Sequence, residues 1–475
     1  PALKNLTPSS RRKMKLSTNS PNKGRFERMN RRMFSALQDN TRGNNERSRP
    51  RVPKPKKVEK TQKQKEEEEK RLKSQLGFTV STLSATACIS QKDLSGDIYN
   101  TDWSSVVDVQ TSKDGSAGCF FIHRSRDTDS DDSDGDDGDD IVVVKSDMTP
   151  VQEIFANGLG LWMNIRVPCV RLVRAFEPEW DQLKKAIKYK IQDDSALLLK
   201  AHHHLNRAFF IVMEFVHGKD LLKLTPDEQK RLFSITESKK SNDLPRLVAT
   251  QHRLRSLGHI VALDIVTNNM DRTPVIWNHW GNLANIFVSE STEQVVGIDN
   301  GVFCIKDEFR ERYYQKVRSL IQTLVKDPGV ECEQVKRFRT SIQCYSMAPN
   351  DLADADMEPP GYDIGEEGTV EIQIGILEAL ARFGEIARSD IETLRSTISD
   401  AASGYDWQNV WKDGVETLNV DFLDGVIDII RKHYDQIIQA LKPYNDARTS
   451  SKSKAWRNKK IGFLSAQQMK AKPIA

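Results

Sequence analysis

The sequence predicts an α+β fold: one bilobal unit whose strands come first and whose helices follow. Three observations point there. Short runs of β-branched and aromatic residues fall between Gly118 and Glu214, helical patterning dominates beyond Asp307, and both ends of the chain are too polar to build a core. Apolar residues make up 38% and charged residues 29%, so part of the chain must lie outside any packed interior.

Residues 1–75 form a basic arm with 23 Lys/Arg against 8 Asp/Glu, about +15, so a chain of net charge +4 leaves residues 76–475 at about −11. Such a segment buries too little apolar surface to offset its ordering entropy. Within it Phe26, Met29, Met33, Phe34 and Leu37 recur at helical spacing, with Arg25, Arg28, Arg31 and Arg32 off that stripe. The pattern reads as a short basic amphipathic helix able to dock on a partner, an anionic lipid surface or nucleic acid, or as a solvated tail.

Residues 76–441 have core composition and divide into an N-lobe, about 76–216, and a C-lobe, about 217–441. Gly118–Ile122 and Ile141–Lys145 read as strands around an acidic loop, 127–140, whose nine Asp repel one another into solvent. That loop lacks the EF-hand spacing that calcium would need. A helix start follows, with Thr149 as N-cap, Pro150 in the first turn and Gln152 completing a capping box, and the helix is expected to stop near Gly158–Gly160. Arg207–Glu214 is the next strand, Asp227–Leu263 is helical, and Asn285–Val288 with Val295–Ile298 reads as a hairpin. Helices then cover Tyr313–Lys326, Val370–Gly384 and Phe422–Leu441. His202, His203 and His204 read as a polar loop, since three adjacent imidazoles cannot face one ion. Residues 442–475 form a second basic tail.

Six scattered cysteines without a CxxC pair exclude a disulfide framework and a zinc module, which points to a reducing compartment such as the cytoplasm. No run reaches the roughly 18 apolar residues of a membrane span. The arginine-rich start leaves a mitochondrial address open, although it lacks an early apolar face.

Five features fall in the order that phosphoryl transfer requires. Gly115, Ser116 and Gly118 belong to a small-residue turn whose amides can cover phosphates, or to an ordinary hairpin turn. Lys145 ends an apolar strand and Glu153 lies eight residues on in the next helix; such a lysine holds phosphates and such a glutamate aims it, unless the lysine merely reaches for water. Glu214 and Val216 sit where a lobe-to-lobe linker presents its backbone to an adenine edge. Asp271, in a polar segment after an apolar helix, can orient or deprotonate a hydroxyl. Asn285 and Asp299, each at a strand edge, are placed to bind Mg²⁺. Taken singly, each Asp or Asn reads as a capping residue.

The strings Lys145–Glu153, Asn268–Arg272, Gly281–Asn285 and Ile298–Gly301 resemble the catalytic domain of the actin-fragmin kinases, atypical protein kinases related to the phosphatidylinositol kinases. The resemblance covers roughly Thr111–Phe303. It implies a two-lobed kinase fold with ATP and Mg²⁺ between the lobes, Lys145 and Glu153 as the phosphate-holding ion pair, Asp271 as the catalytic carboxylate, and Asn285 and Asp299 as metal ligands. His-Arg-Asp, Asp-Phe-Gly and Ala-Pro-Glu are missing. Asn285 lies fourteen residues beyond Asp271, against about four intervening residues in conventional kinases, so Asn282 competes for the metal. The implied activity is Ser/Thr protein phosphorylation of a protein substrate, with cytoskeletal substrates in view. The alternatives are a kinase-fold scaffold whose basic tails dock on a polyanionic filament, RNA or lipid surface, and a phosphoinositide kinase.

Overall fold

The computed structural model describes residues 98, 101–111, 118–125, 140–146, 150–175, 177–241, 243–306, 308–344, 362–401 and 408–449, all within the unit Leu72–Ala475. The arm, Gly115, Ser116, Thr149, nearly all of the acidic loop and the chain beyond Thr449 lie outside the described residues.

Five antiparallel strands make the N-lobe sheet: β1 Val106–Thr111, β2 Gly118–Arg124, β3 Asp140–Ser146, β4 Val170–Arg174 and β5 Phe209–Glu214, in spatial order β1-β2-β3-β5-β4. Side chains alternate across a strand, so β3 sends Val142 and Val144 to one face and Val143 and Lys145 to the other. The first face, with Phe120, Ile122, Phe210 and Val212, is closed by α2 Pro178–Ile191 and α3 Ser195–Leu205 through Leu183, Ile187, Ala201 and Leu205. The second face gathers Val143, Ile211 and Met213, with Cys119, Phe121, Val170 and Phe215 packed around them. Helix α1, Pro150–Trp162, lies between this sheet and the C-lobe core, burying Phe155 and Leu159.

The C-lobe is helical apart from a three-stranded sheet, β6 Gly218–Asp220, β7 Ile286–Ser289 and β8 Val295–Gly297. Its helices are α4 Pro226–Phe233, α5 Ile235–Lys240, α6 Leu244–Thr267, α7 Glu308–Lys326, α8 Glu333–Cys344, α9 Gly365–Gly384, α10 Arg388–Asp400, α11 Gln408–Thr417, α12 Val420–Lys432 and α13 Tyr434–Thr449. Helices α6 and α9 form its axis. They cross in backbone contact: a Cβ on Gly258 would stand 2.1 Å from the Ile372 carbonyl oxygen, and one on Gly375 2.2 Å from that of Arg255. Arg255 closes the crossing by donating to Glu371 (2.6 Å) and Glu378 (3.0 Å).

The structure bears out the α+β, bilobal expectation and corrects several elements. Helix α1 continues past Gly158 and Gly160 to Trp162, because those positions pack on Leu394, Val167 and Leu263 and the packing outweighs the weak helix preference of glycine. Residues 227–263 are helical as expected and divide into three helices, each begun by its own cap: Thr225, Ser234 and Asp243. The long final helix breaks at His433, and α13 carries on through Pro443 to Thr449, inside the expected tail. His202–His204 form the last turn of α3, not a loop. Strands β1 and β4 and helices α2 and α3 lacked a sequence assignment; β1 has three of its six residues exposed and β4 has arginine at two of its five positions, so neither carries an unbroken apolar run.

Candidate active site

The site is built where the second face of the sheet meets α1 and the C-lobe. Lys145, one residue from the end of β3, shares the face of Val143, and its Nζ donates to Glu153 Oε2 at 2.7 Å. Glu153 lies in the first turn of α1, only 4% exposed at its side chain. Burial alone would discharge the lysine, but Glu153 first and then Asp299 outweigh it, so the ammonium is held well above its ordinary value. Lys145 also donates to Asp299, across the lobes.

Asp299 follows β8 in a left-handed conformation (φ 55°), a state that a non-glycine residue holds only when its neighbours fix it. Asn300 supplies the fixing. Its side chain donates to the Gly297 carbonyl (3.1 Å) and to Asn157 Oδ1 (2.8 Å), and accepts from Arg272 Nη1 (2.6 Å). Asn157 in turn donates to the Glu153 carbonyl at 2.9 Å. Arg272, fully buried, also donates to the Ile298 carbonyl (2.9 Å) and grips Asp264 near the end of α6 through two bonds of 2.5 and 3.2 Å. One polar chain thus ties the loop of Asp299, the loop of Asp271 and the helix of Glu153. The carboxylate of Asp299 is held below its usual range: burial works against this, and Lys145 overrides burial.

Asp271 lies just beyond the left-handed cap Asn268 (φ 52°) of α6. Its Oδ2 accepts from Asn282 Nδ2 (3.1 Å) and Asn285 Nδ2 (3.3 Å), and Asn285 Nδ2 also reaches Asp299 Oδ2 (3.4 Å). Gly281, at φ 76°, turns the chain so that Asn282 and Asn285 can return to Asp271. Burial, with the Asp299 charge added, pushes the Asp271 carboxyl above its ordinary value.

Five of the sequence-derived residues therefore form one ladder: Glu153, Lys145, Asp299, Asn285, Asp271. Asn282 bonds Asp271 alone, whereas Asn285 lies between the two carboxylates. Glu214 and Val216 are buried at the sheet-to-helix passage; the Glu214 amide donates to the Cys169 carbonyl and its carboxylate accepts from the Cys169 amide, both at 3.1 Å. Gly118 opens β2 with the His204 ring in the place a side chain would take. Sequence reasoning gave no role to Arg272, Asn300, Asp264 or Asn157, nor to the apolar face of Cys119, Phe121, Val143 and Met213. Alternation from Lys145 would have found Val143; the partners of a buried arginine leave no sequence signal.

Two carboxylates and an amide beside a lysine form a hard oxygen-donor set, which suits a divalent cation that keeps water and phosphate oxygens in its shell. Among the described residues, no group of three or more His, Cys, Asp or Glu forms an all-protein metal cage, so such a cation would depend on its ligand for the rest of its coordination.

Comparison with known proteins agrees with this geometry. The family model described as "Actin-fragmin kinase, catalytic" matches residues 89–379. Two Dictyostelium discoideum proteins named "Putative actin-fragmin kinase" are similar to the chain, one 25% identical over 71% of this chain and 75% of its own length, the other 21% identical over 72% and 77%. The dual specificity protein phosphatase PHS1 of Arabidopsis thaliana is 24% identical over 47% of this chain, but the match covers only 24% of that protein.

Proposed function

This chain belongs to the actin-fragmin kinase catalytic family, which makes it a kinase, and from that premise we propose that it transfers the γ-phosphate of ATP to a serine or threonine hydroxyl of a protein. The ladder from Glu153 to Asp271 supports this reading, because it joins an ammonium, an amide and carboxylates in one hydrogen-bonded series, the groups that phosphates, a metal and an acceptor hydroxyl would need.

In this reading the adenine lies against Val143, Met213 and Phe121, with the backbone from Glu214 to Val216 at its edge. Gly118, at the start of β2, is the described part of the turn that the sequence offered for covering the phosphates. Lys145 turns from Asp299 to the α- and β-phosphates while Glu153 keeps it aimed. Asp299 and Asn285 would hold Mg²⁺, whose charge would offset that of the phosphate oxygens. Asp271 accepts the proton of the acceptor hydroxyl as it attacks, and its raised affinity for protons suits that task. Arg272 and Asn300 touch no reactant; they position the two loops.

The names of the Dictyostelium relatives make actin the first acceptor to test. The full chain would be incubated with γ-labelled ATP and Mg²⁺ together with actin, a mixed Ser/Thr peptide pool and phosphoinositide vesicles. Label on protein serine or threonine is expected. Label on lipid alone would overturn the protein-kinase reading. No helix among the described residues is long and apolar enough to cross a membrane.

A further inference from the structure

Trp280 is a large apolar side chain that the fold leaves 53% exposed, and it stands two residues before Asn282, a donor to Asp271. Its loop is firmly held. The Gly281 amide donates to His279 Nδ1 (2.8 Å) and the Asn282 amide to the Arg272 carbonyl (3.1 Å). Trp277 donates through Nε1 to Asn268 Oδ1 (2.9 Å), in the segment leading to Asp271. An indole fixed on a rigid loop beside the acceptor carboxylate, yet uncovered, is suited to meeting a partner side chain.

The same loop rests on cations. Lys316 donates to the Ile276 carbonyl (3.1 Å) and stands 4.7 Å over the Trp277 ring; Arg337 donates to the Val275 carbonyl (3.2 Å) and to Asn278 (3.4 Å). Arg312 lies one helical turn before Lys316 on α7 and is exposed. Among the described residues, no carboxylate lies within 4.0 Å of Arg312, Lys316 or Arg337. Several other buried or half-buried arginines of the C-lobe have carboxylate partners: Arg253 with Glu293, Arg255 with Glu371, Arg272 with Asp264, Arg339 with Glu331. Burial, then Arg312 and Arg337, pull the Lys316 ammonium below its ordinary value, as expected of cations crowded without a counter-charge. This cluster also runs against an otherwise acidic body.

We propose that Trp280 with Arg312, Lys316 and Arg337 forms the docking ledge for the acceptor, and that it takes an acidic stretch of a protein chain carrying an apolar side chain next to the hydroxyl presented to Asp271. The proposal rests on the kinase reading for the identity of the acceptor. A carboxylate would supply the counter-charge that the cluster lacks, and the indole would cover the apolar neighbour.

The test uses the full chain and two labelled peptides of one Ser-Leu core, flanked by glutamates in one and by lysines in the other, read by fluorescence anisotropy. Arg312→Glu and Trp280→Ser are the variants; both positions are exposed and outside the ladder, and each melting curve reports the fold. The glutamate peptide should lose about fivefold in affinity in either variant, and the lysine peptide should bind Arg312→Glu more tightly. Unchanged glutamate-peptide affinity in both variants overturns the ledge, as does an equal change for both peptides in Arg312→Glu. So does a loss confined to phosphatidylserine vesicles with peptide binding intact. If the wild type transfers no phosphate while Arg312→Glu still weakens the glutamate peptide, the ledge stands and only the kinase reading falls.

Discussion

Removing Lys145 tests whether the ion pair at the head of the ladder is a coupled unit. In Lys145→Met the carboxylate of Glu153, 4% exposed, loses its cation, while Asp299, 52% exposed, keeps access to water. Stranding a buried charge costs about 3–5 kcal/mol, so the variant should lose about that much stability near neutral pH. Glu153→Gln should cost less, since Lys145 retains Asp299. The double variant should cost less than the sum, with a coupling of about 2 kcal/mol. The pH dependence has a definite sign. In the wild type Lys145 holds the Asp299 carboxyl below its ordinary value, so that carboxylate contributes stability above its unfolded value of about 3.9 and loses it as pH falls through the folded value. Lys145→Met forfeits that contribution. It should therefore be closer to wild type at about pH 3 than at about pH 8, and Glu153→Gln, which keeps Lys145 on Asp299, should show no such trend. Urea unfolding followed by circular dichroism at both pH values measures all four proteins. Additivity of the two single variants within about 0.5 kcal/mol would refute the coupled pair.

Three further outcomes follow from the same geometry. Because burial first and the Asp299 charge second raise the Asp271 carboxyl, the acid limb of kcat/KM should lie above the ordinary aspartate value of about 3.9, and Asp299→Asn should move that limb down in whatever activity remains. Asn300→Ala strips hydrogen bonds from Arg272 and Asn157 in the interior and frees the left-handed Asp299; a loss of about 2–4 kcal/mol in urea unfolding, with weaker ATP·Mg²⁺ binding by calorimetry, is expected. Gly375→Ala puts a methyl group against the Arg255 carbonyl and should cost about 3 kcal/mol by forcing α6 and α9 apart, while Ala at the more loosely packed Gly158 should cost far less.

The site was more legible in the sequence than the scaffold around it. Lys145, Glu153, Asp271, Asn285 and Asp299 could be picked out because each polar residue interrupts or ends an apolar run, and their order along the chain matched one chemistry. What held them in place could not be read that way. Arg272 and Asn300 were visible letters in the quoted strings, yet Arg272 meets Asp264 through the turn that ends α6 and Asn300 meets Asn157 from 143 residues away, and no helix or strand periodicity reports either bond. Strand β3 hid its two faces because both are buried: its unbroken apolar run shows no alternation of its own, and only counting back two residues from Lys145 marks Val143 as sharing that lysine's face. Helix ends were misjudged wherever tertiary packing overrode local preference, as at Gly158 and Gly160 in α1, or where a cap such as Ser234 divided an otherwise continuous helical pattern.

In the proposed kinase reading, Asp271 serves the acceptor while Lys145, Asn285 and Asp299 serve ATP and its metal. Measuring ATP·Mg²⁺ affinity and γ-phosphate transfer side by side for wild type, Asp271→Asn and Asp299→Ala tests it most directly. The account predicts that Asp271→Asn keeps its nucleotide affinity and loses about a hundredfold or more in transfer, whereas Asp299→Ala loses both. Transfer by Asp271→Asn at the wild-type rate would contradict it.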